Sequence, residues 1–194
     1  MGRMDGIKIV AIVGSPRMKG NTSYLVDKAL EEAAEKRVQT EKIMLAQHNL
    51  SPCLGHDNCA SYKVCTQKDD APWILDRFCE ADAVILATPV YWYNVTAQMK
   101  TFIDRNYFIY QHGIEPRAKA VGIIITAEME GIEDTLNTLR KFTEWTFPIP
   151  KDRIISVTGY AHKMGGAEEN TSLVNGAIAL GRQLADILQE KNSD

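Results

Sequence analysis

The chain has 194 residues, of which 45% are hydrophobic and 24% charged, and a formal net charge of −3. These values match a soluble globular protein folding as one domain over residues 1–194, with a core large enough to need no staples. The weak acidic balance gives no electrostatic reason to expect nucleic acid or an anionic membrane as partner.

The apolar run over residues 7–13 is too short for a signal segment or a membrane span, and position 6 is Gly rather than the Ser or Thr of a myristoylation signal. A cytoplasmic protein is therefore expected, and in that compartment four cysteines do not imply a disulfide framework.

Run 7–13 reads as a strand buried on both faces of a parallel sheet. It leads into Gly14-Ser15-Pro16-Arg17-Met18-Lys19-Gly20-Asn21-Thr22 and then a helical pattern over about 23–36, with Leu25, Ala29 and Leu30 inward. A loop of this kind gathers unpaired amides at the positive end of a helix, where Ser15, Asn21, Thr22 and the cations Arg17 and Lys19 can join them. Such a site suits a phosphate. The spacing excludes a G-x-G-x-x-G fingerprint, and Gly20 is followed by Asn21 rather than the Lys-Ser/Thr of a nucleotide-hydrolysing loop. A plain connecting turn is the alternative.

A weaker strand is expected over 42–46. Residues 47–70 lose periodicity and hold Cys53, Cys59 and Cys65 with Pro52, Gly55, His56 and Asn58, which marks a long loop of the kind that usually has a task. Then come a helix over 71–79, a buried strand over 83–87 ending at Thr88-Pro89, and an aromatic loop, Val90-Tyr91-Trp92-Tyr93-Asn94. A helix over 95–107, a buried strand over 120–126 and a polar loop over 127–131 follow. The last elements are a helix over 132–146, a strand over 153–157 and a helix over 168–189.

Five strands alternating with five helices imply right-handed β-α-β units and a parallel sheet covered on both faces. Ligands bind such sheets at the carboxyl ends of the strands, so loops 14–22, 88–94 and 126–131 should share one rim. A phosphate pocket beside Tyr91, Trp92 and Tyr93 wants a ligand with a phosphate at one end and a flat ring at the other, and flavin mononucleotide (FMN) fits. Pro89 and the aromatics could flank the ring, while backbone groups near Thr126, Ala127 and Gly131 could bond its polar edge. Surface or interface aromatics are the alternative.

The pieces Gly14-Ser-Pro-Arg with Gly20-Asn21-Thr22, Pro52-Cys53 with Cys59, Cys65 and Asp69-Asp70, Thr88-Pro89-Val90-Tyr91, and Gln98-Met99-Lys100 with Asp104-Arg105 carry a resemblance. In order and spacing over about residues 7–190 they resemble the NADPH-dependent FMN reductase and iron-sulfur flavoprotein family of the flavodoxin-like fold. The resemblance implies a three-layer α/β sandwich with a five-stranded parallel sheet in the order 2-1-3-4-5. It implies FMN phosphate held by Ser15, Arg17, Asn21 and Thr22 around Gly20, and the ring held by Pro89, Val90, Tyr91, Trp92, Tyr93 and Asn94 with the loop around Thr126 and Gly131. It also implies a homodimer or homotetramer with FMN near the subunit interface. The aromatic stretch 106–110 is compatible with an association surface or with internal packing.

Iron-sulfur members carry Cys-x2-Cys-x2-Cys and a fourth Cys, whereas here His56 stands where the second would be. No metal is expected; a cluster or a zinc ion on Cys53, His56, Cys59 and Cys65 is the alternative. Cys79 sits in a helical pattern and reads as a buried small hydrophobe. The function expected is an FMN-dependent NAD(P)H oxidoreductase passing hydride in a ping-pong cycle to a flavin, a quinone or another small acceptor, with no side chain assigned as catalytic. An electron carrier without a nicotinamide site, and a non-redox phosphate-binding module, are the alternatives.

Overall fold

The computed structural model describes residues 6–190. Residues 1–5, on which part of the N-terminal reading falls, lie outside it, as do residues 191–194. Five strands, β1 (Lys8–Val13), β2 (Gln39–Met44), β3 (Ala83–Pro89), β4 (Val121–Ala127) and β5 (Ile154–Tyr160), form one parallel sheet in the order β2-β1-β3-β4-β5. This is the expected flavodoxin-like architecture.

The central strands read as unbroken apolar runs because both of their faces are covered. Their side chains alternate between two cores: Ile9, Ala11, Val13, Ile85 and Ile124 face one side, while Val10, Ile12, Leu86, Ile123 and Ile125 face the other. Helices α1 (Asn21–Glu35) and α7 (Thr171–Glu190) cover the first face. They pack so closely that a β-carbon at Gly181 would stand 2.0 Å from the Ala29 carbonyl oxygen.

On the second face lie α2 (Ala71–Glu80), α3 (Ala97–Arg105) and α5 (Ile132–Thr146). Phe78 organises this core, meeting Phe102 at 5.2 Å and Phe147 at 5.3 Å edge-on and stacking on Phe142 at 6.3 Å. Each such pair adds about 0.5–1.5 kcal/mol beyond the burial of its rings. Among the described residues no helix is long and apolar enough to cross a membrane.

Several boundaries differ from those expected. The strand expected over 42–46 lies at Gln39–Met44, because β2 is a sheet edge whose first residues are exposed or half-buried and whose apolar signal is confined to Ile43 and Met44. The helix expected over 95–107 ends at Arg105, where Asn106 turns its side-chain amide back onto the Phe102 carbonyl at 2.8 Å; a short α4 (Tyr107–Gln111) follows. The last strand extends to Tyr160. The helix expected over 168–189 is split into α6 (Gly166–Glu169) and α7 at Asn170, whose side chain accepts the Leu173 amide at 3.2 Å.

Candidate functional site

The carboxyl ends of β1, β3, β4 and β5 carry the loops of one rim. Ser15 is buried, and its hydroxyl oxygen accepts the Arg17 amide at 3.2 Å while the Gly20 amide closes back onto the Arg17 carbonyl at 3.2 Å. This turn holds Arg17, Met18 and Lys19 exposed. Helix α1 starts at an extended Gly20 with no side-chain cap, and its first closing bond runs from the Tyr24 amide to the Gly20 carbonyl at 3.0 Å. The amides of Asn21, Thr22 and Ser23 lie ahead of that bond, at the open positive end of a fifteen-residue helix.

The loop is fixed from behind by a residue that sequence reasoning missed. Thr96, fully buried, donates its hydroxyl to the Gly14 carbonyl at 2.7 Å, accepts the Met99 amide at 3.2 Å as the N-cap of α3, and gives its own amide to the Thr88 hydroxyl at 3.3 Å. A β-carbon at Gly14 would stand 2.7 Å from Met99 Cβ and 2.9 Å from Thr96 Oγ1, so the close approach requires glycine. The available signal was a Thr in the first turn of the helical pattern expected over 95–107, a residue type that favours the N-cap.

The aromatic loop is a tight turn. The Tyr91 amide donates to the Asn94 carbonyl at 2.9 Å and the Asn94 amide to the Tyr91 carbonyl at 3.1 Å. Trp92 (φ 47°) and Tyr93 (φ 63°) both occupy the left-handed region, and Trp92 is 93% exposed. Backbone strain of this kind persists where the surroundings dictate it. Here Gly131 (φ 90°) lies directly under the turn: a β-carbon there would be 2.6 Å from Tyr93 Cα and 2.8 Å from Val90 Cγ1. The Val90 amide donates to the Thr126 carbonyl at 2.8 Å, Pro89 ends β3 half-buried, and Asn94 is exposed with its side-chain oxygen accepting the Val95 amide at 2.8 Å.

Two of the expected cofactor residues meet each other. Thr22 Oγ1 and Thr126 Oγ1, both buried, are hydrogen-bonded at 2.7 Å and join the start of α1 to the end of β4. Asn21 is committed elsewhere: its side-chain nitrogen donates to the Lys163 carbonyl at 2.8 Å and its oxygen accepts the Ala167 amide at 3.2 Å. Residues 161–167 thus form a fourth rim loop, tied also by the Ala161 amide to the Ala127 carbonyl at 2.8 Å. Its position at the carboxyl end of a parallel strand was the clue available in the sequence. A groove of about 1090 Å³ runs from this loop, past His162 and Lys163, along β5 to the start of α7.

The cysteine loop leaves the carboxyl end of β2 and meets the C-terminal end of α3. Its ends are closed by Arg105, whose guanidinium bonds both oxygens of Asp69, the Ser51 carbonyl at 2.8 Å and the Cys65 sulfur at 3.3 Å. Burial pushes the Cys59 thiol up, and the charges of Cys65 and Cys53 push it further. Cys79 is set in α2, its thiol pushed up to about 12 by burial and then by Asp76 and Glu80. Among the described residues no three His, Cys, Asp or Glu side chains stand together as a metal site. A four-iron cluster wants four thiolates, and this loop offers three.

Comparison with known proteins gives the family and the fold. The profile described as NADPH-dependent FMN reductase matches residues 7–161. An iron-sulfur flavoprotein of Methanocaldococcus jannaschii is 38% identical over 138 residues, covering 70% of this chain and 71% of that protein. Another, from Methanosarcina thermophila, is 28% identical over 195 residues, covering 97% and 100%. Among solved structures, an NAD(P)H:quinone oxidoreductase from Methanothermobacter marburgensis superposes with a TM-score of 0.71 at 14% identity, covering 93% of this chain and 98% of that one, a likeness of fold. The chain belongs to the NADPH-dependent FMN reductase family, a family of flavoprotein oxidoreductases.

Proposed function

We propose that this flavoprotein oxidoreductase binds FMN at the described rim, takes electrons from NAD(P)H and passes them to a small acceptor such as a flavin or a quinone in a ping-pong cycle. The observation that carries the reading is the meeting of an uncapped helix N-terminus with an aromatic turn on one edge of the sheet. The open amides at 21–23 with Ser15, Arg17 and Lys19 suit a phosphate dianion. Residues Pro89 to Asn94, braced by Gly131, suit a flat ring.

In this reading residues 1–194 act as one FMN-binding domain, working in the cytoplasm as a homodimer or homotetramer. FMN supplies the redox chemistry when bound. The chain supplies the rest: the phosphate loop anchors one end, Thr22 and Thr126 fix the spacing between loops, and the exposed Tyr91, Trp92 and Asn94 leave one side of the site open to donor and acceptor in turn. Asn21 meets the phosphate through its main-chain amide, its side chain being occupied. No side chain is assigned as an acid or base.

Anaerobic stopped-flow mixing of FMN-loaded protein with NADPH and NADH tests the reading. The expected result is bleaching of the flavin absorbance by at least one of them, then recovery on adding a quinone. No bleaching with either would leave an electron carrier without a nicotinamide site. Failure to take up FMN at all would leave a phosphate-binding module.

A further inference from the structure

The relatives named above as iron-sulfur flavoproteins raise the question of what the loop over 53–65 holds in this chain. We infer that the chain as it stands takes no four-iron cluster, and that His56 is the residue that decides this. The inference concerns the cysteine loop alone and does not rest on the flavin reading.

Clusters of this type are held by four cysteine thiolates, commonly from a compact run such as Cys-x2-Cys-x2-Cys with a fourth Cys beyond. Here the run is Cys53-x2-His56-x2-Cys59-x5-Cys65, so the spacing is that of a cluster loop with one thiolate replaced by an imidazole. The His56 ring stands edge-on to Tyr62, centroids 5.8 Å apart. Cys79 cannot make up the number. It belongs to α2 and packs against the phenylalanine core, so reaching the loop would mean unpacking that helix.

Hydrogen bonds tie the two ends of the loop together. Besides the Arg105–Asp69 pair, the Ser51 amide donates to Asp69 at 3.0 Å, the Asn49 amide to Asp70 at 2.8 Å, and Gln67 to the Pro52 carbonyl at 3.0 Å. Three thiols remain close enough for Cys59 to feel the charges of the other two, while Arg105 donates to the sulfur of Cys65. In spacing the loop therefore carries three of the four thiolates a cluster needs, with His56 at the fourth position.

The test uses the full chain as wild type, as His56→Cys and as the double variant His56→Cys with Cys65→Ala. Each is produced anaerobically, incubated with ferrous iron, sulfide and a thiol reductant, desalted, and scored for iron and acid-labile sulfide per chain and for electron paramagnetic resonance after dithionite. The wild type is expected to stay at background, His56→Cys to gain about four irons and four sulfides per chain, and the double variant to return to background. Stoichiometric iron and sulfide on the wild type overturns the inference whether or not either variant folds. A His56→Cys chain with wild-type circular dichroism and thermal unfolding but background iron overturns the assignment to position 56. Iron and sulfide are counted independently of flavin, so failure of FMN binding leaves this result readable.

Discussion

Arg105, the last residue of α3, and Asp69, at the end of the cysteine loop, form a doubly bonded ion pair in which each side chain is 2% exposed. Burial pushes the Asp69 carboxyl up, but Arg105 with the Ser51 and Ala71 amides outweighs it and holds the group below its ordinary range. A carboxyl with a lowered folded-state value stabilises the fold above its unfolded value, about 3.9, and that contribution is lost as pH falls through the folded value. Breaking such a pair costs about 3–5 kcal/mol because it strands a buried charge. Urea unfolding at neutral pH should show Asp69→Asn destabilised by that amount, and its stability should fall less steeply than the wild type's below about pH 4.

Thr96 makes three buried bonds at the junction of β3, α3 and the loop that begins at Gly14. Thr96→Val keeps the shape and removes the hydroxyl, leaving the Gly14 carbonyl and the Met99 amide without it. A loss of about 1–2 kcal/mol in unfolding free energy is expected, as for removal of a helix cap. FMN affinity, read by fluorescence quenching, should fall as well, since Gly14 begins the loop that receives the phosphate in the proposed site.

Gly131→Ala sets a β-carbon against Tyr93 and Val90 at a positive φ. The strain at such a position is about 1–3 kcal/mol. Because the contact falls on the aromatic turn, FMN affinity should drop by about tenfold or more, equivalent to about 1.4 kcal/mol. An equal loss of stability with unchanged FMN affinity would detach the turn from the cofactor site.

Asn21→Ala separates the two roles open to that side chain. If its amide serves loop 161–167, the variant should lose hydrogen-exchange protection at Ala167, whose amide it accepts. The FMN dissociation constant should then move less than in Ser15→Ala. The opposite order would return the side chain to the phosphate.

Much of this fold was legible because three of the five strands are buried on both faces and so stand in the sequence as bare apolar runs. The edge strands β2 and β5 carry half-exposed residues, and there hydrophobicity misplaced the limits by up to three residues. The rim loops were legible for a different reason: Gly, Pro and aromatic residues mark turns and ring walls by their own chemistry. What the residues did not disclose is who bonds whom across the chain. Asn21 and Thr22 have the side chains of phosphate ligands, yet their partners lie 142 and 104 residues away and determine what those side chains are free to do. Arg105 stood inside the helical pattern expected over 95–107, and its burial follows from Asp69 arriving from another segment.

Helix α3 is fastened at both ends, by Thr96 to the Gly14 carbonyl and by Arg105 to Asp69 and Cys65. Its nine residues span about 13 Å, so a short rigid strut sets the separation between the thiol loop and the loop that begins at Gly14. Alkylating or oxidising Cys65 crowds the Arg105 guanidinium at one end of that strut, and the other end bears on the carbonyl of Gly14. A reagent that modifies the Cys65 sulfur thus acts on the same short helix whose opposite end holds the Gly14 carbonyl.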